Sequence, residues 1–199
     1  DFYEREDTCQ GSPVRLLYTG RIDRAKGLFE MVQVVEQLCQ QGYDVVLDLV
    51  GWPQKGDMIV EELFADAQKR GLGERVIYHG FKAVGPELFD HYKQADIYLI
   101  ASQSSEGFPR TLWEAMAHSL PVVATKVGSV PLFLEHGKTA WMVAPKNLLE
   151  LRDGIVRVID DTQLRQRLIL HARELARDNT LEERAKQLYE RLDSWVGEK

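Results

Sequence analysis

The sequence predicts an α/β fold built on a mostly parallel, doubly wound sheet. Strand-like and helix-like segments alternate for over a hundred residues, the pattern of successive βαβ units. The strand-like runs, such as VRLLYTG (14–20) and DVVLDLVG (44–51), are short, apolar and closed by glycine, as strands buried on both faces should be. A chain of 199 residues is also long enough for one generous domain with a core of its own.

The elements follow in order. The opening residues are polar and end in Gly11-Ser12-Pro13, a breaker cluster that makes 1–13 a linker. Strand 14–20 stops at Gly20. A helix over 25–41 carries Leu28, Met31, Val32, Val35 and Leu38 at helical spacing and stops at Gly42. Strand 44–51 is apolar on both faces apart from Asp48, and a helix over 57–70 ends at Gly71. Strand 75–80, helix 86–93 and strand 95–102 come next, then helix 109–118 and strand 120–125. A short helix over 130–136 precedes a last strand, 139–143, and helical, charged segments fill 148–196. The expected organisation is a sheet domain over 14–180 and a C-terminal helix over 181–199, with Ala185, Leu188, Leu192 and Trp195 at helical spacing.

Composition excludes several classes of function. Lys and Arg total 25 against 31 Asp and Glu, a net charge of -6, whereas a nucleic-acid binder needs a basic stripe. Any anion must be held by local geometry. The two cysteines, Cys9 and Cys39, form no CxxC and read as free thiols of a cytoplasmic protein. No apolar run has the length of a signal peptide or membrane span. The five histidines show no HExxH spacing, so no metal site is expected, and no serine sits in a GxSxG elbow. Gly137-Lys138-Thr139 imitates the end of a P-loop, but Leu132 stands where that motif needs glycine and a strand follows it.

In a doubly wound sheet, ligands bind beyond the carboxyl ends of the strands, and two loops there carry unusual chemistry. The first runs from Gly20 to Gly27. Gly20 is expected to turn the chain off its strand, leaving Arg21 and Lys26 beside a helix amino end, where the macrodipole is also positive. Arg grips an oxyanion through paired N–H bonds and Lys adds a point charge, a combination suited to a diphosphate. It is not a GxGxxG fingerprint. The second loop, Ser102 to Glu114, places Pro109 at a first helical position. The amides of Arg110, Thr111 and Leu112 would then be donors at a helix amino end, a ready anion site. Gly107 allows close backbone approach, and Glu106 and Glu114 could bracket a ligand from its two ends.

Three segments together, Gly20-Arg21-x4-Lys26-Gly27, Glu106-Gly107-Phe108-Pro109-x4-Glu114-Ala115-Met116-Ala117 and Leu120-Pro121-Val122-Val123-Ala124-Thr125, resemble the donor-binding half of a family 4, or group 1, glycosyltransferase. The two glutamates stand with seven residues between them, that family's E-x7-E pattern, and the resemblance covers roughly residues 14 to 145. It implies one Rossmann-like lobe of a GT-B enzyme, and a retaining transfer of sugar from a nucleotide-diphosphate-sugar to an acceptor hydroxyl. No metal or other cofactor is implied, and no covalent nucleophile. Arg21 and Lys26 would meet the diphosphate, and Glu106 would lie by the donor sugar. The amides of Gly107, Phe108 and Arg110 would touch sugar hydroxyls, and those of Thr111 and Leu112 the phosphate. Glu114 would accept hydrogen bonds from the ribose. Phe81 and Lys82 would lie by the base, with Gly51 nearby.

The partner that the resemblance implies is an N-terminal acceptor-binding domain, to which the last helix would cross and through which membrane contact could arise. The chain departs from the family pattern at Ala101-Ser102, where Pro-Ser is usual, and at Ser119, Ser129 and Ala140, where glycine is common. None of these removes a charged donor-binding group. The competing expectations are a non-catalytic nucleotide-sugar-binding module and another GT-B enzyme, such as an epimerase or a phosphorylase.

Overall fold

The structure is a computed structural model that describes residues 2–104, 107 and 109–197, with side chains through Asp193. Ser105, Glu106 and Phe108 lie outside the described residues, as does the side chain of Trp195. Among the described residues, a six-stranded sheet runs in the order β3-β2-β1-β4-β5-β6. Its strands are β1 (Val14–Ile22), β2 (Val45–Pro53), β3 (Val76–Tyr78), β4 (Ile97–Ile100), β5 (Val122–Thr125) and β6 (Trp141–Val143). Every pairing is parallel, so the fold class expected from the alternating segments is what forms. The order reverses between β1 and β4, which opens a crevice at their carboxyl ends.

The helices are α1 (Leu28–Gln40), α2 (Ile59–Lys69), α3 (Pro86–Gln94), α4 (Arg110–Ala117), α5 (Val130–Phe133), α6 (Leu148–Asp160), α7 (Thr162–Arg177) and α8 (Leu181–Gly197). Strand alternation sends Leu16, Leu47 and Leu99 to one face, against Met31, Val35 and Leu38 of α1, Leu63 of α2 and Ile155 of α6. Leu17, Tyr98 and Val122 face the other way, onto Leu88 and Tyr92 of α3 and Leu112 and Met116 of α4. The spacing of α7 lets it serve both layers, with Leu164 and Leu168 in the first and Ala172 and Ala176 in the second.

Three local features differ from the sequence expectation. The helix expected over 25–41 is two pieces, a 3-10 turn (Arg24–Lys26) and α1, separated by Gly27 in the left-handed conformation at φ 73° and ψ 28°. A Cβ at Gly27 would stand 2.1 Å from the Ala101 carbonyl oxygen, so the break lets the helix amino end press against the end of β4. β1 does not leave the sheet at Gly20 but continues to Ile22, carrying Arg21 as a strand residue opposite Trp52. Gly20 pairs with Gly51, and a Cβ on Gly51 would come within 1.7 Å of the Gly20 carbonyl oxygen. The glycines are needed there for close strand approach and not for a turn.

Residues 2–13, expected from composition to be a linker, lie along the domain and are bound to it. The Arg5 guanidinium donates to the carbonyls of Tyr92, Lys93 and Ala95 at 3.2, 3.1 and 2.7 Å, which caps the carboxyl end of α3. Asp7 pairs with the buried Arg165 at 2.6 Å, and the Cys9 amide donates to Asp96 at 2.7 Å. Composition does not reveal this because each anchor is a polar group whose partner lies over eighty residues away. At the other end, Leu181, Leu188, Tyr189 and Leu192 of α8 are exposed. No described helix is long and apolar enough to cross a membrane.

Candidate functional site

Two connected grooves lie over the carboxyl ends of β1 and β4. One, of about 500 Å³, is lined by Tyr18, Gly20, Arg21, Lys26, Ser102, Pro109, Arg110 and Thr111. The other, of about 550 Å³, shares Thr19, Gly20, Arg110 and Thr111 with it or its rim, and extends past Gly51, Trp52, Phe81, Lys82 and Glu114. Of the predicted site residues, Gly20, Arg21, Lys26, Gly51, Phe81, Lys82, Pro109, Arg110, Thr111 and Glu114 line these joined grooves, whereas Gly107 and Leu112 line neither. Gly107 is exposed on the loop before α4, and Glu106 and Phe108 lie outside the described residues.

The cationic end is built by β1 and the turn after it. Arg21 projects at the strand end, 53% exposed, with Asp23 at 3.3 Å. The Tyr18 hydroxyl donates to the Arg21 carbonyl at 2.7 Å, which holds the backbone from which that guanidinium extends. Asp23 caps the 3-10 turn by accepting from the Ala25 amide at 2.8 Å, and the Ala25 carbonyl accepts from the Gln103 amide at 2.8 Å. Lys26 is thus carried on a turn stitched to the loop after β4. The Ser102 carbonyl accepts from Thr125 Oγ1 at 2.8 Å, tying that loop to β5 as well. An exposed ion pair such as Arg21–Asp23 is weakly held, so the guanidinium can exchange that partner for an oxyanion.

The amino end of α4 forms the opposite wall. Pro109 is its N-cap, with an extended backbone at φ -67° and ψ 128°, and not its first helical residue. One consequence corrects the expected donor set. The Leu112 amide donates to the Pro109 carbonyl at 3.0 Å and Leu112 itself is fully buried, so it packs the core and offers no free donor. Arg110 and Thr111, as the first two helical residues, have amides that an α-helix leaves without i-4 acceptors. Both residues line both grooves.

Glu114 is not a solvated helix acid. Its side chain is only 13% exposed, one carboxylate oxygen forming an ion pair with Arg110 Nε at 2.9 Å and the other accepting from the Tyr92 hydroxyl at 2.8 Å. Tyr92 also meets Thr19 Oγ1 at 2.6 Å, and Thr19 meets the Tyr98 hydroxyl at 3.0 Å. Tyr98 in turn hydrogen-bonds Thr111. Burial pushes the Tyr98 phenol up to about 12 against the lowering effect of its hydrogen bonds, and burial beside Tyr98 and Glu114 pushes Tyr92 well above its ordinary value. Both phenols stay protonated and serve as fixed donors. Sequence reasoning missed Thr19, Tyr92 and Tyr98. Tyr92 falls four residues after Leu88 on an apolar helix face, and that spacing signals core packing without saying where the hydroxyl points.

Near the far end, the Gly51 amide donates to the Gly80 carbonyl at 2.9 Å and the Tyr78 hydroxyl to the Gly51 carbonyl at 3.0 Å. These bonds hold the turns after β2 and β3 together. Lys82 lies 3.8 Å from Glu87 at the groove's edge. Among the described residues, no group of three or more His, Cys, Asp or Glu side chains is arranged to hold a metal ion. What the arrangement can do is bind an elongated anion, with its charge at Arg21, Lys26 and the α4 amino end. Hydroxyl groups can meet Glu114, and a less polar end can rest near Phe81.

Residues 4–175 match the model of the family described as glycosyl transferases group 1. A D-inositol 3-phosphate glycosyltransferase of Corynebacterium diphtheriae is 26% identical over 93% of this chain, which spans 44% of that relative. Among solved structures, Anabaena Alr3699/HepE in complex with UDP superposes with a TM-score of 0.80, at 29% identity, over 94% of this chain and 50% of that one. The C-terminal domain of a glycosyl transferase group 1 family protein (LpcC) from Francisella tularensis is 26% identical with a TM-score of 0.77. There the match covers 89% of this chain and 95% of the other. This chain therefore belongs to the group 1 glycosyl transferases and has the fold of their Rossmann-like C-terminal lobe.

Proposed function

We propose that this chain is the donor-binding part of a retaining, metal-independent glycosyltransferase that moves a sugar from a nucleotide-diphosphate-sugar to an acceptor hydroxyl. The observation that carries the reading is the pair of joined grooves, with Arg21 and Lys26 at one end and Glu114, fixed by Tyr92 and Arg110, at the other. A UDP-sugar is the best supported donor, because Anabaena HepE, alike in sequence and fold, has been solved with UDP and with UDP-glucose.

The chemistry follows from charge development. Breaking the anomeric C–O bond makes the sugar oxocarbenium-like and leaves negative charge on the departing diphosphate. Arg21, Lys26 and the amides of Arg110 and Thr111 stabilise that charge from fixed positions. Preorganised donors of this kind are worth about 10²- to 10³-fold in rate each. Glu114 holds the ribose hydroxyls and so fixes the distance from nucleoside to anomeric carbon. Glu106, from the family resemblance, faces the donor sugar. The acceptor side is supplied by an N-terminal domain of the same protein, a reading supported by the chain spanning 50% of HepE and 50% of the sucrose-phosphate synthase it resembles, and the exposed apolar residues of α8 would meet that domain. The isolated chain then binds donor without efficient transfer, and a cytoplasmic location suits a nucleotide-sugar substrate.

The test is Glu106→Gln in the two-domain protein. Transfer is expected to fall at least 100-fold, on the order of a lost transition-state contact, while donor affinity stays within a few-fold. Undiminished transfer would overturn the catalytic role of Glu106. Absence of transfer even by the unsubstituted two-domain protein, with donor binding intact, would favour a non-catalytic binding module.

A further inference from the structure

The resemblance put Phe81 by the base but gave no role to Trp52, which lines the same groove. Trp52 lies near the end of β2, 50% exposed, and its ring meets that of Phe81, 60% exposed, at 5.4 Å between centroids and 83° between planes. Both rings line the groove whose other end is Glu114. Large aromatic rings left in water at this level are costly unless something covers them. The strand register pairs Trp52 with Arg21 across β1 and β2, so the aromatic groove adjoins the cationic one. Val50, two residues earlier, projects to the same face and is buried, which gives the indole an apolar base.

Two rings at right angles make a corner. A flat heterocycle that stacks on one of them meets the other edge to face, and both contacts are favourable for the ring quadrupoles. Val50, Gly51, Val84 and Leu88 add lining without a side-chain hydrogen-bonding group, while the polar side chains of the groove are those of Thr19, Lys82, Arg110, Thr111 and Glu114. Contacts to the face of a base are tolerant of which base it is, because every base has one.

Resting on the donor-site reading above, we propose that Trp52 is a nucleobase-stacking residue. With Phe81 it forms an aromatic seat that contributes base-independent affinity for nucleoside diphosphates. Base stacking of this kind is worth about five- to a hundredfold in affinity.

The experiment is calorimetric titration of the 199-residue chain and its variants with UDP, ADP and pyrophosphate, alongside tryptophan fluorescence. Trp52→Ala is expected to weaken UDP and ADP by comparable factors in that range and to leave pyrophosphate within twofold. Trp52→Phe should retain most of the affinity, yet lose the fluorescence quenching that UDP causes in the unsubstituted chain. Three results would overturn the proposal: unchanged UDP affinity in Trp52→Ala, an equal loss for pyrophosphate, or quenching that persists in Trp52→Phe. Arg21→Ala separates the two levels of inference. If it weakens UDP and pyrophosphate alike while Trp52→Ala does nothing, the donor site stands and the aromatic seat falls. If the unsubstituted chain binds none of the three, both fall.

Discussion

Replacing Tyr92 with Phe removes one oxygen from the centre of the site and nothing else. That hydroxyl donates to Glu114 at 2.8 Å and lies 2.6 Å from Thr19 Oγ1, in a side chain with no exposed surface. A hydrogen bond to a charged group contributes about 1.5–3 kcal/mol. Arg110 still reaches the Glu114 carboxylate at 2.9 Å, and Thr19 still has Tyr98 at 3.0 Å, which places the expected loss at the lower end, about 1.5–2 kcal/mol. In a domain of this size that lowers the unfolding midpoint by about 3–8 °C. Urea unfolding of the single variants and of Tyr92→Phe with Glu114→Gln closes a double-mutant cycle, with an expected coupling of about 1 kcal/mol or more. A loss under about 0.5 kcal/mol together with additive behaviour would refute the claim that Tyr92 holds Glu114 in place.

Three further outcomes are expected. Gly51→Ala forces a Cβ to within 1.7 Å of the Gly20 carbonyl oxygen at a backbone φ of 155°, so it should destabilise by at least about 1–3 kcal/mol and depress ligand binding, read by thermal melts and titration. Asp7→Ala leaves the Arg165 guanidinium, a 3% exposed side chain, with only neutral partners and should cost about 3 kcal/mol by urea unfolding, showing that the N-terminal segment belongs to the domain. Burial holds His118 below its ordinary value in spite of its Nδ1–H bond to the Glu114 carbonyl, and burial with His79 nearby lowers His91. An unfolded chain with histidines near 6.5 takes up protons that the folded one refuses, so stability should be intact above about pH 7 and fall as the pH drops below about 6.5. His118→Gln should flatten part of that slope in melts followed across the range, and an unchanged slope would contradict the assignment.

The sheet was legible because its strands are apolar on both faces and end at glycine or at loops rich in polar residues. The candidate loops were singled out because they follow strands at the carboxyl edge of the sheet and carry Arg21, Lys26 and Glu114, and the structure brings these three to the joined grooves; Glu106 lies outside the described residues. What escaped depends on contacts between distant residues. The break at Gly27 is imposed by the Ala101 carbonyl, and the β1 extension by the Gly20–Gly51 pairing, neither of which leaves a local signal. Pro109 caps the helix instead of starting it, and the Leu112 amide is taken up by a tight i-3 bond to the Pro109 carbonyl, a local detail that no sequence spacing shows. The Thr19–Tyr92–Glu114 chain joins three separate elements, so no spacing along the sequence could show it.

The central claim is that this lobe recognises the nucleoside diphosphate portion of a sugar donor through Arg21, Lys26 and Glu114. Calorimetric titration of the chain with UDP, GDP and ADP at low salt tests it most directly. The account predicts saturable one-to-one binding of at least one of them, weakened at least tenfold by Arg21→Ala with Lys26→Ala, on the order of 1.4 kcal/mol. No heat of binding from any of the three, or binding indifferent to both substitutions, would contradict it.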